Sequence, residues 1–393
     1  MTPSRVATRV LGACAALFLA TSIARAADPA PAAATPTAAA PAAAAPKPAA
    51  GPFKIGIVTG TVSQGEDEFR AAATMAEKYP AIVKHVTYPD NFMQEQETTI
   101  SQVAGLAADP EVKAIVIAQA IPGTMAAIQK VKANRPDMKF LLVEPHEDVD
   151  QINKAADVVF NTDNLARGVN MINLAKKMGA KKFLHYSFPR HMSMQLLAQR
   201  RQKMEEEAKK IGIEFLNVSA PDPMGEGGLP ATQQFVLEDV PRKIAEHGAD
   251  IAFFSTNCGM QEPLIRAVLD GGALYPEQCC PSPTHGYPGA LGIEIPKEKS
   301  GDMKFLADQI REKVKEAGRS GRFATWYAPF NIMAIQAAIE LAKAFLEGKA
   351  DLQSPSDAKK FLQDQAPGQA FEVNRWNESV GHFYNVVCES QIF

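Results

Sequence analysis

From Phe53 onward the chain alternates short apolar runs with longer amphipathic stretches. "FKIGIVTG" is a β-branched run ending in Thr-Gly, and "EDEFRAAATMAEKY" follows with helical spacing. "AIVKHVTYP" reads as a strand and "FMQEQETTISQVAGLAAD" as a helix. "VKAIVIAQA" is the third strand, and a helix runs from Pro122 to Asn134. "KFLLVEP" and the short "ADVVFNTDN" complete the set. Continuous Val/Ile/Leu runs separated by amphipathic helices predict a parallel sheet covered on both faces.

The pattern then restarts. "LARGVNMINLAKKMG" is helical, "KKFLHYSF" a strand, and a helix covers Ser193 to Ile211. The strand "IEFLNVSAPD", a helix from Thr232 to His247, the strand "ADIAFFSTN" and the helix "MQEPLIRAVLDGG" follow. Two consecutive strand–helix sets predict an α/β protein with two doubly wound, Rossmann-like lobes. Further on, "GALGIEIP" reads as a strand, "DMKFLADQIREKVKEAG" as its helix and "RFATWYAP" as the last strand before the chain returns. On that layout "YPEQCCPSPTHGYP" is a helix-to-strand insert, at the end of the lobe opposite a ligand cleft. The alternative takes "ALYPEQ" as the strand and puts both thiols at the cleft mouth.

The first 52 residues are of another kind. Arg5 and Arg9 precede an apolar run from Val10 to Ala20, and Ala24-Arg25-Ala26 closes it. This pattern predicts a secretory signal peptide over residues 1–26, cleaved after Ala26. Residues 27–52, nearly all Ala and Pro, read as an extended tether outside the fold. Removing Arg5, Arg9 and Arg25 takes the formal charge from −3 to −6. No basic stripe points to nucleic acid, and no second apolar run points to membrane insertion after cleavage. The expected location is the periplasm, an oxidising compartment.

Three segments resemble the type I periplasmic binding proteins of the ribose and galactose class. "FNTDNLARGVNMINLAKKMGAKKFLHYSF" resembles their first lobe crossing, and "ADIAFFSTNCGMQEPLIRAVLDGG" their strand ending in Asn. "YAPFNIMAIQAAIELAKAFLEGK" resembles the helix that returns to the first lobe. "YSFPRHMS" and "CCPSPTHGYPGALGIEIP" also resemble an uncharacterised bacterial group of such proteins. The resemblance implies two lobes joined by a three-strand hinge. The N-terminal lobe would span 53–163, completed by 328–370, and the C-terminal lobe 164–327, completed by 371–393. The sequence departs from the sugar binders at Glu144-Pro145, where they carry Asp-Arg, and at Cys258, where they often carry Asp.

In open parallel sheets ligands bind beyond the carboxyl ends of the strands. The polar residues there are Thr59, Thr61, Gln64, Gln119, Glu144, His146, Arg190, His191 and Asn257. Arg200 joins them by the resemblance, which implies that it holds a ligand oxygen. Glu294 at the end of "GALGIEI" and Trp326 or Tyr327 near the hinge complete the candidate set. The implied function is non-enzymatic capture of a small polar ligand, neutral or zwitterionic, without a cofactor. A membrane permease or a sensor domain is the expected partner.

Catalytic signatures are weak. His146, Glu147 and Asp148 are adjacent and read as a polar loop and helix start. Ser193 near His191 has sequence proximity only, and reads as a helix N-cap. With Cys14 in the signal peptide, Cys258, Cys279, Cys280 and Cys388 remain. A disulfide from Cys388 to Cys279 or Cys280 would fix the Pro-rich insert. The competing arrangement is a metal site or enzyme centre from Cys258, Cys279, Cys280 and His285.

Overall fold

The computed structural model describes residues 51–377 and 380–393; the expected signal peptide and nearly all of the tether lie outside them. The first set of elements is β1 (Lys54–Thr59), α1 (Val62–Lys78), β2 (Val83–Thr87), α2 (Gln96–Ala108), β3 (Val112–Ala118), α3 (Thr124–Asn134), β4 (Lys139–Val143), α4 (Val149–Ala155) and β5 (Val158–Thr162). The second is α5 (Asn164–Lys177), β6 (Lys182–Ser187), α6 (Pro189–Met192), α7 (Gln195–Ile211), β7 (Glu214–Ser219), α8 (Gly228–His247), β8 (Ile251–Ser255), α9 (Gln261–Gly271), α10 (Tyr287–Leu291), α11 (Met303–Glu316) and β9 (Ala324–Trp326). The chain closes with α12 (Phe330–Leu346), α13 (Pro355–Gln365), β10 (Phe371–Asn377), β11 (Val380–Cys388) and β12 (Ser390–Ile392).

The first lobe is built on a sheet ordered β10-β11-β5-β4-β3-β1-β2. Its pairings are parallel except the β10–β11 hairpin. Ile55, Ile57, Val116 and Leu141 face α1 and α12 on one side, while Val58, Ile115, Ile117 and Leu142 face α2 and α3 on the other. Burial on both faces explains why these strands read as unbroken apolar runs. In the second lobe β7-β6-β8 is a parallel sheet. Leu274 extends it through a parallel bridge to Ala252, and Tyr275 bridges Phe323 beside the β9–β12 pair.

Residues 371–388 form β10 and β11 and extend the first-lobe sheet, so only β12 returns to the second lobe. The apolar faces of Tyr384 and Val386 explain this, since both are buried in the first-lobe core. "GALGIEIP" is no strand: α10 occupies its start and Gly292, at φ 63°, ends that helix. Leu274 and Tyr275 take the strand position instead, so the insert leaves the carboxyl end of the sheet and its thiols stand at the cleft.

The chain crosses between sheets at 163, at 327–329 and at 389, between β5 and α5, β9 and α12, and β11 and β12. The lobes also touch directly. Leu196 and Met224 of the second pack on the first-lobe cluster holding Phe92 and Ile100. Thr284 Oγ1 donates to Asp67 Oδ1 at 2.8 Å.

Candidate functional site

A cavity of about 600 Å³ lies between the facing carboxyl ends of the two sheets. Eight of the expected ligand residues line it: Gln64, Gln119, Glu144, His146, Arg190, His191, Arg200 and Asn257. The first lobe delivers Gln119 and Glu144 from unusual backbone. Gln119, Ala120 and Glu144 have φ of 60°, 32° and 53°, a region that side-chain-bearing residues avoid. Such strain clusters where a side chain must be aimed. Gln119 Nε2 donates to Gln64 O at 3.2 Å and to Glu68 Oε1 at 3.3 Å. Asn331 Nδ2 of α12 donates to the same Glu68 oxygen at 2.7 Å. Burial raises the Glu68 carboxyl to about 7. Gly65 makes room for this group, because a Cβ there would stand 2.7 Å from Glu68 Oε2.

Glu144 turns back onto the crossing. Its Oε1 accepts from Thr162 N at 2.7 Å and from the Thr162 hydroxyl. Burial pushes its pKa up, against those hydrogen bonds and the charges of Arg167 and Arg200. His146 is driven down to about 4 by burial and by Arg190, and its Nδ1 has no hydrogen-bond partner among the described residues. Glu147 accepts from Gly123 N and Met125 N at 2.9 and 2.8 Å, and Asp148 caps α4 through Gln151 N. The His-Glu-Asp run is therefore a loop and helix start, as its composition predicts.

Arg200 projects from α7 and is 2% exposed. Its Nη1 donates to Asn164 Oδ1 at 2.9 Å, its guanidinium lies 5.1 Å from the Phe254 ring, and its Nε has no partner among the described residues. Burial and the neighbouring Arg167 charge lower it to about 9. Gly168 permits this placement: a Cβ there would meet Arg200 O at 2.9 Å, so only glycine lets α5 and α7 approach so closely. Under Phe254 lies His185, stacked between Phe215 and Phe254 and held near 3 by burial. It is a neutral core aromatic.

Arg190 is spent on a bidentate pair with Asp222, both contacts 2.8 Å. His191 Nδ1 sits 3.1 Å from Thr256 Oγ1, and Asn257 Oδ1 caps its own turn by accepting from Gly259 N at 2.9 Å. Ser193 is no N-cap; its hydroxyl donates to Arg190 O, and Met194 precedes α7.

Four expected ligand residues do not line the cavity. Thr59 is buried in the sheet, its hydroxyl 2.8 Å from both Gly60 O and His85 Nε2. Thr61 stands behind the lining, its hydroxyl tied to Asp90 Oδ1 at 2.5 Å. Glu294 is exposed on irregular chain beyond α10, because the strand meant to carry it does not form. Trp326 packs in the first-lobe core and donates Nε1 to Glu277 Oε2 at 2.8 Å, below the cavity.

Sequence reasoning did not assign Glu68, Arg167, Glu277 or Asn331. Arg167 lies in the quoted crossing segment, and an Arg in the first turn of the crossing helix is the signal that could have found it. Glu277 and Glu68 carry no such signal; only the folded chain brings them inward. The expected Cys388 disulfide is not formed. Cys388 is a free thiol in the first-lobe core, paired in register with Phe371, and Cys258 is the neighbour of Cys279 and Cys280 instead.

Residues 53–324 match the model of a family described as "Protein of unknown function (DUF3798)". This chain belongs to that family. An uncharacterized protein of Treponema pallidum (strain Nichols) is 39% identical over 180 residues, 44% of this chain and 81% of the relative. A putative transcriptional regulator from Clostridium difficile 630 superposes with a TM-score of 0.71 at 27% identity, covering 87% of this chain and 99% of its own. A periplasmic solute binding protein of an ABC transporter from Actinobacillus succinogenes 130z, with bound D-allose, gives 0.51 at 17% identity, over 76% of this chain and 93% of its own. The family member described here has the type I periplasmic-binding-protein fold.

Proposed function

We propose that this chain captures a small polar solute, neutral or zwitterionic, between its lobes, as a periplasmic binding component for transport or sensing. The observation that carries this reading is the interlobe cavity itself. Its volume of about 600 Å³ falls within the range of small-molecule sites, roughly 300–1,000 Å³. Arg200 and His146 line the cavity, and their Nε and Nδ1 atoms are buried without protein partners among the described residues; a ligand oxygen that reaches Nε as the lobes adjust would satisfy that N–H. The charges favour no polyanion. Arg167 and Arg190 are each neutralised by a carboxylate, and Glu144 stands against Arg200.

The solute-binding role printed for the Actinobacillus protein supports the same reading, through the shared fold. Strand-end polar groups facing each other across three crossings suit hinge closure on a ligand. Among the described residues no helix is long and apolar enough to cross a membrane. A permease or a sensor domain is the partner such a capture role calls for. The test is a thermal-shift screen of sugars, polyols, nucleosides and amino-acid derivatives, followed by calorimetry. A binder at 100 times its Kd adds about 2.7 kcal/mol of stability. A solute that stabilises the protein and the Arg200→Ala, His146→Ala and Glu144→Gln variants equally would place binding outside this cleft. Conversion of a solute to product would replace the binding reading with catalysis.

A further inference from the structure

The cleft has a second kind of chemistry on its wall. Cys258 follows β8, while Cys279 and Cys280 follow the Leu274–Tyr275 bridge strand. Cys258 Sγ stands 3.4 Å from Cys279 Sγ and 3.6 Å from Cys280 Sγ, and the two adjacent thiols are 3.7 Å apart. His285 Nε2 lies 3.7 Å from Cys279 Sγ, and the ligand atoms of Cys258, Cys279 and His285 all fall within 4.8 Å of one another.

These spacings can be compared with a metal site. Sulfurs bound at about 2.3 Å to a tetrahedral zinc stand ~3.8 Å apart, and a sulfur and an imidazole nitrogen ~3.6 Å apart. The three thiols therefore already form a triangle of nearly the size of one tetrahedral face. A disulfide needs its sulfurs at about 2.05 Å, and no pair here is near that distance.

The surroundings fit a cation bound by thiolates. All three cysteines line the cavity, so an ion has a way in. Each thiol that ligates releases its proton to solvent, and three thiolates around a divalent ion leave one negative charge. Arg200, which makes no salt bridge among the described residues, is close enough for Cys279 and Cys280 to act on its charge. Next to His285 in the chain, Thr284 Oγ1 is held by the Asp67 carboxylate at 2.8 and 3.0 Å, which fixes this loop against α1.

We propose that Cys258, Cys279 and His285, joined by Cys280 once its thiol turns toward them, bind one thiophilic metal ion of the zinc class on the cleft wall, and that this site is independent of the solute reading. Zn(II) and Co(II) are the probes, added to the reduced, metal-stripped mature protein without any solute. The expected result is a single equivalent bound, with a sulfur-to-cobalt charge-transfer band and the intense visible bands of tetrahedral cobalt. Cys258→Ser should abolish the charge-transfer band or weaken it with loss of Zn(II) in chelator competition. His285→Ala should shift the visible bands, and Cys388→Ser should change neither. Circular dichroism checks the fold of each variant. The wild-type cobalt spectrum tests the idea even where a variant fails to fold. Absence of the band, or full Zn(II) affinity in folded Cys258→Ser, overturns it. A Cys258 disulfide that reforms in the presence of Zn(II) overturns it as well. Solute binding measured on the metal-stripped protein separates this outcome from failure of the solute reading.

Discussion

Arg167 Nε donates to Glu277 Oε1 at 2.5 Å, and both side chains are at most 3% exposed. The same guanidinium donates Nη2 to Gln278 O at 2.5 Å, and the other Glu277 oxygen accepts from Trp326 Nε1 at 2.8 Å. One buried ion pair thus ties the first turn of α5 and the end of β9 to the segment just before the two cysteines. It fixes the wall of the cleft to two of the crossings.

Breaking that pair from one side should be costly. Glu277→Gln or Arg167→Met leaves a charge buried without its partner, a loss of about 3–5 kcal/mol. The double variant should lose less than the sum of the singles, because no lone charge remains. Urea unfolding followed by circular dichroism measures all three. Additive losses would mean that the two groups do not interact.

The first-lobe sheet was readable because its central parallel strands carry their own label. Ile115, Val116 and Ile117 are all buried, so the run announces a two-sided strand without help from elsewhere. Half of the site was readable for a related reason: Gln119, Glu144 and Asn257 follow strands directly, and the topology alone sends strand ends to the cleft. The rest depends on tertiary choices. Tyr275 holds its strand position through one bridge to Phe323, too short to outweigh the stronger strand pattern of "GALGIEI". Placing the thiols followed from that choice. Cys388 was drawn to the wrong lobe because β11 was expected to leave the first sheet, whereas Phe383 and Tyr384 anchor it beside β5.

Glu68 gives a pH signature. Burial raises its carboxyl from 4.5 to about 7. The folded state therefore holds a proton that the unfolded state releases between those values. Stability from this group is present below pH 4.5 and is lost as the pH rises to about 7. Glu68→Gln removes the effect. The stability of the variant relative to the parent should increase from pH 4.5 to 7, by ~1–3 kcal/mol in total. His146 and His185, held near 4 and 3, work in the opposite sense, since their contribution is lost as the pH falls below 6.5. They are common to both proteins and cancel in the difference. A flat difference across this range would show that Glu68 titrates normally.

Thr284 bridges the lobes to Asp67 of α1, a carboxylate that is 4% exposed. Thr284→Val keeps the shape and removes the donor. A hydrogen bond to a charged group contributes about 1.5–3 kcal/mol, and here it acts between the lobes. The variant should favour the open arrangement, with a larger radius of gyration by small-angle scattering and weaker solute binding. An unchanged scattering profile together with unchanged binding would show that the bond does not hold the lobes together.

Arg200 separates two explanations of a buried arginine. A structural role would rest on its contacts with Asn164 and Phe254, both of which it makes without any ligand. A binding role rests on Nε, which is buried without a partner among the described residues. Arg200→Ala removes both and cannot distinguish them alone. Arg200→Lys keeps a charge and a long stem but loses the planar fork. If Arg200 grips a solute oxygen, both variants should weaken solute binding, Ala by about 2–3 kcal/mol and Lys by less. Their melting temperatures without solute should fall less in proportion, since a guanidinium lowered to about 9 by burial already costs the fold something to keep charged. Calorimetry with the solute from the screen, alongside unfolding without it, gives both numbers. Large stability losses with solute affinity intact would assign Arg200 to the architecture of α5 and α7 and leave His146 and Glu144 as the groups to test next.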